Sequence, residues 1–445
     1  MLAQVARCSR YAVAHKDLDH RIIRASGVCF CRPPPLCVSV PLTQRSPPPQ
    51  RRHFPFGTFT TSTLHHRRYL ISEGRTTAPS DDESSEYLSP SPSSPFYLET
   101  GYSIFAKRPS RPFPPPFVSL PSGSFSDPLT THNPVRGRRP SINGQPILGI
   151  TNGDDAIIIG DQNFVAVNDG VGAWAQKERG HAALWSRLIA HFWALEVEKS
   201  FRGGKEVELA DLNPIRNLQD AYDQTKAATK GSFKSDSEAQ ENAEPTAQDC
   251  SSSDADDKKP DANDILGTTT ASSALLHYKR TPSSSPTPVV LATTLGDCKV
   301  LLVRPLSNEV LYRSKEQWHW FDCPRQLGTN SPDTPVSNAV TDIVEIEVGD
   351  VVAVLSDGVT DNLWEHEICE NISHSVDKWL QGEEEARDGV VYVARTLMNA
   401  AREIAQDPNA ESPYMERAFD EGIAAEGGKL DDISVVIGIC RKRES

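Results

Sequence analysis

Between residues 148 and 442 the apolar positions change period several times, and each change predicts a different element. Apolar runs at 156–159 and 164–168, split by Gly160-Asp161, predict a β-hairpin. Over 178–200, Leu184, Leu188, Phe192 and Leu195 recur at helical spacing, and the Trp185 to Trp193 face widens that stripe. Asn213-Pro214 is a cap followed by a first-turn proline, with Ile215, Leu218 and Tyr222 on one face of the helix that follows. Strand-like runs come next at 269–276, 289–294, 300–303, 343–348 and 351–355. Leu295-Gly296-Asp297 and Val348-Gly349-Asp350 read as turns between antiparallel neighbours. Helices over 365–380 and 386–406 separate this set from a last strand at 433–439. Hairpins with helices gathered in pairs predict an α+β fold, a four-layer α-β-β-α sandwich of two antiparallel sheets flanked by helix pairs.

Composition changes this picture only outside that region. Residues 1–72 hold ten Arg and one Lys against Asp17 and Asp19, a balance of +9 in a chain whose net charge is −14. This Arg- and Ser-rich, acid-poor stretch reads as a mitochondrial presequence, a plain basic arm being the other reading. Residues 73–147, with SPSPSSP at 89–95 and PFPPP at 112–116, read as a disordered Ser/Pro-rich spacer. An acidic block at 231–264 reads as a disordered insert within a domain spanning 148–442. Four of nine cysteines fall in the first 72 residues, and none of the rest has zinc or disulfide spacing. No run approaches the 18 apolar residues of a membrane span, so no transmembrane segment is expected, and nothing points to nucleic acid.

The chemistry lies where apolar strands meet acids: GDDA at 153–156, VNDGVG at 167–172, LSDG at 355–358 and LDDISVV at 430–436. One Asp-Gly is more often a turn than a ligand. Four such ends brought together, with no lysine or arginine placed to neutralise both acidic pairs, would repel unless a hard divalent cation joined them. Oxygen-only ligands favour Mg²⁺ or Mn²⁺ over zinc.

These motifs, with NPIRNLQDAYDQT at 213–225, GTTTA at 267–271, LGDCKVLLVR at 295–304, EQWHWFDCPRQLG at 316–328, LSDGVTDNL at 355–363, DPNAESPY at 407–414 and GGKLDDISVV at 427–436, resemble the metal-dependent protein phosphatases of the type 2C class. The likeness is nearest to the branch of the mitochondrial protein phosphatase 2C homolog 7. It implies a hydrolase of phosphoserine and phosphothreonine that uses a water shared by two ions. Position by position it implies that Asp169 bridges the ions, that Asp154 and the Gly170 carbonyl hold one, and that Asp357 and Asp431 complete the other. Asp155 would accept a hydrogen bond from the shared water, and Asp297 and Asp361 would orient waters or hold a weaker third ion. Asp432 stands where the class often has Asn.

The chain departs from the class in having Val171 in place of a histidine two residues after the bridging acid, and Ala173 and Asn168 beside it. The arginine that often grips phosphate has no counterpart, since 148–153 contains no basic residue. The resemblance further implies a mitochondrial matrix location and phosphoprotein substrates, enzymes of ubiquinone biosynthesis among them. Two alternatives stay open: a catalytically weak relative that binds partners, and a small-molecule phosphoesterase. His319 within WHWF reads as packing against a sheet, and His181 and His191 as polar-face residues of the first helix.

Overall fold

A computed structural model describes residues 94–117, 140–142, 145–202, 206–231, 263–280 and 285–444. The expected presequence, and 232–262 of the expected insert, lie outside these residues. Among the described residues no helix is long and apolar enough to cross a membrane.

Two antiparallel sheets carry the structure. One has the strand order Val340–Glu345, Thr287–Leu295, Ala271–Lys279, Phe164–Asn168, Asp155–Gly160 and Ile150–Asn152. The other runs Phe96–Phe105, Ile433–Lys442, Val351–Leu355, Lys299–Arg304 and Glu309–Arg313. Alternation along the strands divides the apolar side chains between faces. Ala156 and Ile158 pack with Leu184, Leu188 and Trp193 of the helix Ala182–Ser200 and with Leu218 of the helix Pro214–Thr229. On the other sheet Ala353, Val435 and Ile437 pack with Ile372 and Leu397 of the helices Glu365–Leu380 and Val390–Ala405. The intervening residues of both sheets, among them Ile157, Val165, Val290, Val300, Val352 and Val436, share a third cluster.

The predicted strands and helices recur with ends shifted by a few residues, but two expectations change. Residues 96–105, expected inside a disordered spacer over 73–147, form a ten-residue strand paired with Ile433–Lys442 from Phe96↔Lys442 to Phe105↔Ile433. Phe96, Leu98 and Tyr102 are buried in the shared cluster, and Phe117 and Ile147 from the same stretch pack on the first helix. Two-residue alternation outweighs the proline-rich flanks, because a strand needs only one apolar face and a free sheet edge.

The second change concerns the turns at Gly296 and Gly349. Each joins strands that do not pair: Thr287–Leu295 and Val340–Glu345 lie in the six-stranded sheet, whereas Lys299–Arg304 and Val351–Leu355 lie in the other. Both turns are corners from sheet to sheet. Gly296 has φ +109°, and a Cβ there would sit 2.6 Å from Thr270 Cγ2, so the corner needs glycine for both its conformation and its space. That corner delivers Asp297.

Candidate metal centre

Strand ends from both sheets bring the predicted acids together. Asp154 occupies the turn between Ile150–Asn152 and Asp155–Gly160, and Asp155 opens the second of these strands. Asp169 follows Phe164–Asn168. Asp357 starts the short helix Asp357–Thr360 just after Val351–Leu355, and Asp361 ends it. Asp431 and Asp432 immediately precede Ile433–Lys442.

Hydrogen bonds hold several of these groups from behind. Asp432, 1% exposed, accepts from the amides of Lys107 at Oδ1 and Asp154 at Oδ2, each over 2.8 Å. Gly153 at φ +63° makes room for it, since a Cβ there would lie 2.1 Å from Asp432 Oδ1. Asp155 Oδ2 accepts from Ser434 Oγ over 2.8 Å, while Asn152 Nδ2 donates to Ser434 Oγ and to the Ile433 carbonyl. The Asp169 amide donates to Thr270 Oγ1, and its carbonyl accepts from the Thr270 amide and from Thr269 Oγ1. Gly170 forms an isolated bridge with Thr269, next to the Asp154 carbonyl.

Burial, and then neighbouring carboxylates, push the pKa of Asp155, Asp169 and Asp297 well above the usual range. The neighbours of Asp169 are Asp357, Asp155, Asp431 and Asp297, which puts acids from both sheets within one field. Ligating atoms of Asp169, Asp297 and Cys298 lie within 4.8 Å of one another. The Cys298 thiol is hydrogen-bonded to Thr270 Oγ1, and burial beside Asp169 and Asp297 pushes its pKa far up. It stays protonated, which leaves a hard oxygen set.

Asp297 Oδ1 and Asp357 Oδ1 are buried and accept no hydrogen bond. Buried acceptor oxygens without donors are costly, and a divalent cation would satisfy them. The residues therefore fit Mg²⁺ or Mn²⁺.

Four basic side chains also reach this cluster, which corrects the expectation that no lysine or arginine stands near both acidic pairs. Lys107 pairs with Asp431, and Arg108 Nη2 lies 2.5 Å from Asp154 Oδ2. Both follow the strand Phe96–Phe105, inside the stretch that reads as spacer. Lys429 Nζ lies 2.7 Å from Asp361 Oδ2, 2.9 Å from Asp322 Oδ1 and 3.1 Å from Asp357 Oδ2. Arg417, on the helix Pro413–Asp420, pairs with Asp361 Oδ1. Lys429 stands two residues before Asp431, so its position was visible in the sequence; the other three arrive through tertiary structure.

Three aromatic or histidine readings change as well. The strands Trp318–Trp320 and Cys323–Pro324 form a separate hairpin, with Trp320 54% exposed and His319 Nε2 2.7 Å from Asp333 Oδ2. His181 caps the first helix by accepting from the Leu184 amide, and buried His191 accepts from the Leu148 amide at Nδ1. Both are buried, with Nδ1 accepting from a backbone amide, and His181 Nε2 lies 3.1 Å from the Pro112 carbonyl.

No family model matches the chain. In sequence it is similar to the protein phosphatase PTC7 homologs of Xenopus laevis, 33% identical over 156 residues, and of Homo sapiens, 33% identical over 153 residues. These matches cover 33% of this chain and 48% and 47% of the two relatives, so the chain spans about half the length of the curated relatives it matches. Protein phosphatase 2C 80 of Arabidopsis thaliana is 28% identical over 326 residues, 72% of this chain and 63% of that protein. Among solved structures, the photosystem II phosphatase PBCP aligns with 64% of this chain and 91% of its own at 23% identity and a TM-score of 0.45. By sequence, the chain is similar to proteins named protein phosphatase PTC7 homolog and protein phosphatase 2C.

Proposed function

We propose that the chain is a divalent-metal-dependent protein serine/threonine phosphatase. The observation that carries this reading is the convergence of strand-end carboxylates from both sheets, with the buried oxygens Asp297 Oδ1 and Asp357 Oδ1 accepting no hydrogen bond. The three apolar clusters support reading the architecture as a four-layer α-β-β-α sandwich.

In this reading Asp154, Asp169, the Gly170 carbonyl, Asp357 and Asp431 would hold two Mg²⁺ or Mn²⁺ ions. Bound there, the ions would supply positive charge to phosphoryl oxygens and a more acidic water. Asp155 keeps Oδ2 on Ser434 Oγ, and its Oδ1 would accept a hydrogen bond from such a water. Lys107 and Arg108 are the basic groups at the mouth, and Arg108 is 47% exposed along its side chain. They take the part of the absent arginine by holding phosphoryl oxygens, a role that suits charged donors. No side-chain nucleophile is required.

A second reading, a weak catalyst that binds partners, is favoured by the engagement of Lys107 with Asp431 and of Arg108 with Asp154. One assay separates the two. The full chain is given phosphoserine and phosphothreonine peptides and a small phosphate ester, with Mn²⁺ or with EDTA, beside Asp169→Asn and Asp357→Asn. Peptide turnover that needs Mn²⁺ and falls by orders of magnitude in both variants is expected. Turnover in EDTA would defeat the metal mechanism; turnover of the ester alone would point to a small-molecule enzyme; none at all would favour the partner-binding protein.

The same proposal places the protein in the mitochondrial matrix, on the strength of the Arg-rich, acid-poor residues 1–72. Its substrates would be phosphoproteins there, enzymes of ubiquinone biosynthesis among them. A reporter fused to residues 1–72 should enter mitochondria, and a cytosolic reporter would refute the location.

A further inference from the structure

Both carboxylate oxygens of Asp361 stand against basic side chains. Its Oδ1 pairs with Arg417 Nη2, and its Oδ2 lies 2.7 Å from Lys429 Nζ. The second contact is an ion pair outside hydrogen-bond geometry, which is why Oδ2 accepts no hydrogen bond despite it. Asp357 is divided differently. Its Oδ2 accepts from Lys429 over 3.1 Å, while its Oδ1 stays buried and unpartnered.

The two cations are held in place by structure built around them. Lys429 has its amide on Asn362 Oδ1 and its carbonyl on Asn362 Nδ2, each over 2.9 Å, and Asn362 Nδ2 also donates to the Gly358 carbonyl. The residue following Asp361 thus fixes the lysine that neutralises Asp361. The ammonium donates to Asp322 Oδ1 and Asp357 Oδ2 and is also paired with Asp361 Oδ2 at 2.7 Å.

Arg417 depends on the segment DPNAESPY at 407–414. Ser412 Oγ caps the helix Pro413–Asp420 by accepting from the Met415 amide, and it donates to the Gly427 carbonyl. The Tyr414 amide donates to the Asp361 carbonyl, which seats the helix against the acid. Arg417 then lies over the Trp318 ring, 5.8 Å from its centroid, and the tilted rings of Tyr414 and Phe321 have centroids 5.6 Å apart.

We infer that Lys429 and Arg417 are built-in cations that take the place of a third divalent ion at Asp361, so that the centre binds two ions and Asp361 ligates neither. Through Asp322 and Trp318 the same pair fixes the hairpin Trp318–Pro324 beside the site. The inference rests on the metal-dependent reading above.

The test counts ions rather than activity. Mn²⁺ is titrated into the full chain, and free Mn²⁺ is followed by electron paramagnetic resonance, with circular dichroism as the check on folding. Wild type should bind two ions, and Asp361→Asn should still bind two. Lys429→Gln with Arg417→Gln should bind a third, which adding Asp361→Asn removes. Three ions on wild type, loss of one in Asp361→Asn, or a folded double variant that stays at two would each overturn the inference while leaving the phosphatase reading intact. If the double variant does not fold, the wild-type count and Asp361→Asn alone decide. No bound Mn²⁺ on wild type would overturn both.

Discussion

The amide of Asp154 donates to Asp432 Oδ2 over 2.8 Å, joining the turn that opens one sheet's acidic pair to the acidic pair of the other sheet, 278 residues away. Asp432 is thereby a clamp: its second oxygen takes the Lys107 amide, and burial pushes its pKa up to about 6 against the pull of these donors. Asp432→Ala leaves two amides without acceptors and should cost about 1–3 kcal/mol. Asp432→Asn keeps one acceptor and should cost less. Urea unfolding in EDTA measures both, and an alanine variant as stable as wild type would refute the clamp.

Metal should raise stability in a way that one substitution both mimics and abolishes. An ion at a hundredfold its Kd stabilises the folded state by about 2.7 kcal/mol. The Asp169 carboxyl is pushed up by burial and by Asp357, Asp155 and Asp431, so a neutral side chain relieves repulsion when no ion is present. Asp169→Asn should therefore melt higher than wild type in EDTA yet gain little from Mn²⁺, whereas wild type gains several degrees. Equal Mn²⁺ shifts in the two proteins would remove Asp169 from the ion site.

The acidic pairs were legible because each is local: strand, turn and acid adjoin in sequence at Asp154, Asp169, Asp357 and Asp431. Turn chemistry was legible at Gly296 and Gly349 but not its consequence. A glycine with positive φ turns the chain equally well between partners in one sheet and between sheets, and the choice rests on which apolar faces meet. Phe96, Leu98 and Tyr102 alternate as a strand should, yet their Ser- and Pro-rich surroundings hid them, and Lys107 and Arg108 with them. Basic partners of an acid carry no sequence period, so only tertiary structure pairs Arg417 with Asp361.

That hidden strand makes a prediction about where the folded unit begins. A chain begun at residue 145 loses Phe96–Phe105 and leaves Ile433–Lys442 as an open, apolar edge. Phe96, Leu98 and Tyr102 are each buried, and an apolar side chain of that size contributes about 1.5–3 kcal/mol, so the loss approaches the whole stability of a typical domain. The shortened chain should aggregate or melt without cooperativity, and a chain begun at residue 94 should be monomeric and melt sharply. Size-exclusion chromatography and thermal melts compare them. Equal melting of the two would show the strand to be dispensable.

Acid should unfold the protein partly through His191. The ring is buried, its Nδ1 accepts from the Leu148 amide over 3.1 Å, and burial with the Arg187 charge lowers its pKa to about 4. An unfolded histidine titrates near 6.5, so above that pH both states are neutral and the contribution is complete. As pH falls from about 6.5 towards 4, the unfolded chain binds the proton first, and stability declines by about 2–3 kcal/mol. Buried carboxyls such as Asp432 act with the opposite sign, since a raised acid pKa costs stability as pH rises, so the comparison must be between proteins at each pH. His191→Gln can keep an acceptor for Leu148 without titrating. Melting temperatures measured in EDTA at pH 7.5, 6.5, 5.5 and 4.5 should converge on wild type, or exceed it, at the acid end, and parallel curves throughout would clear His191 of the effect.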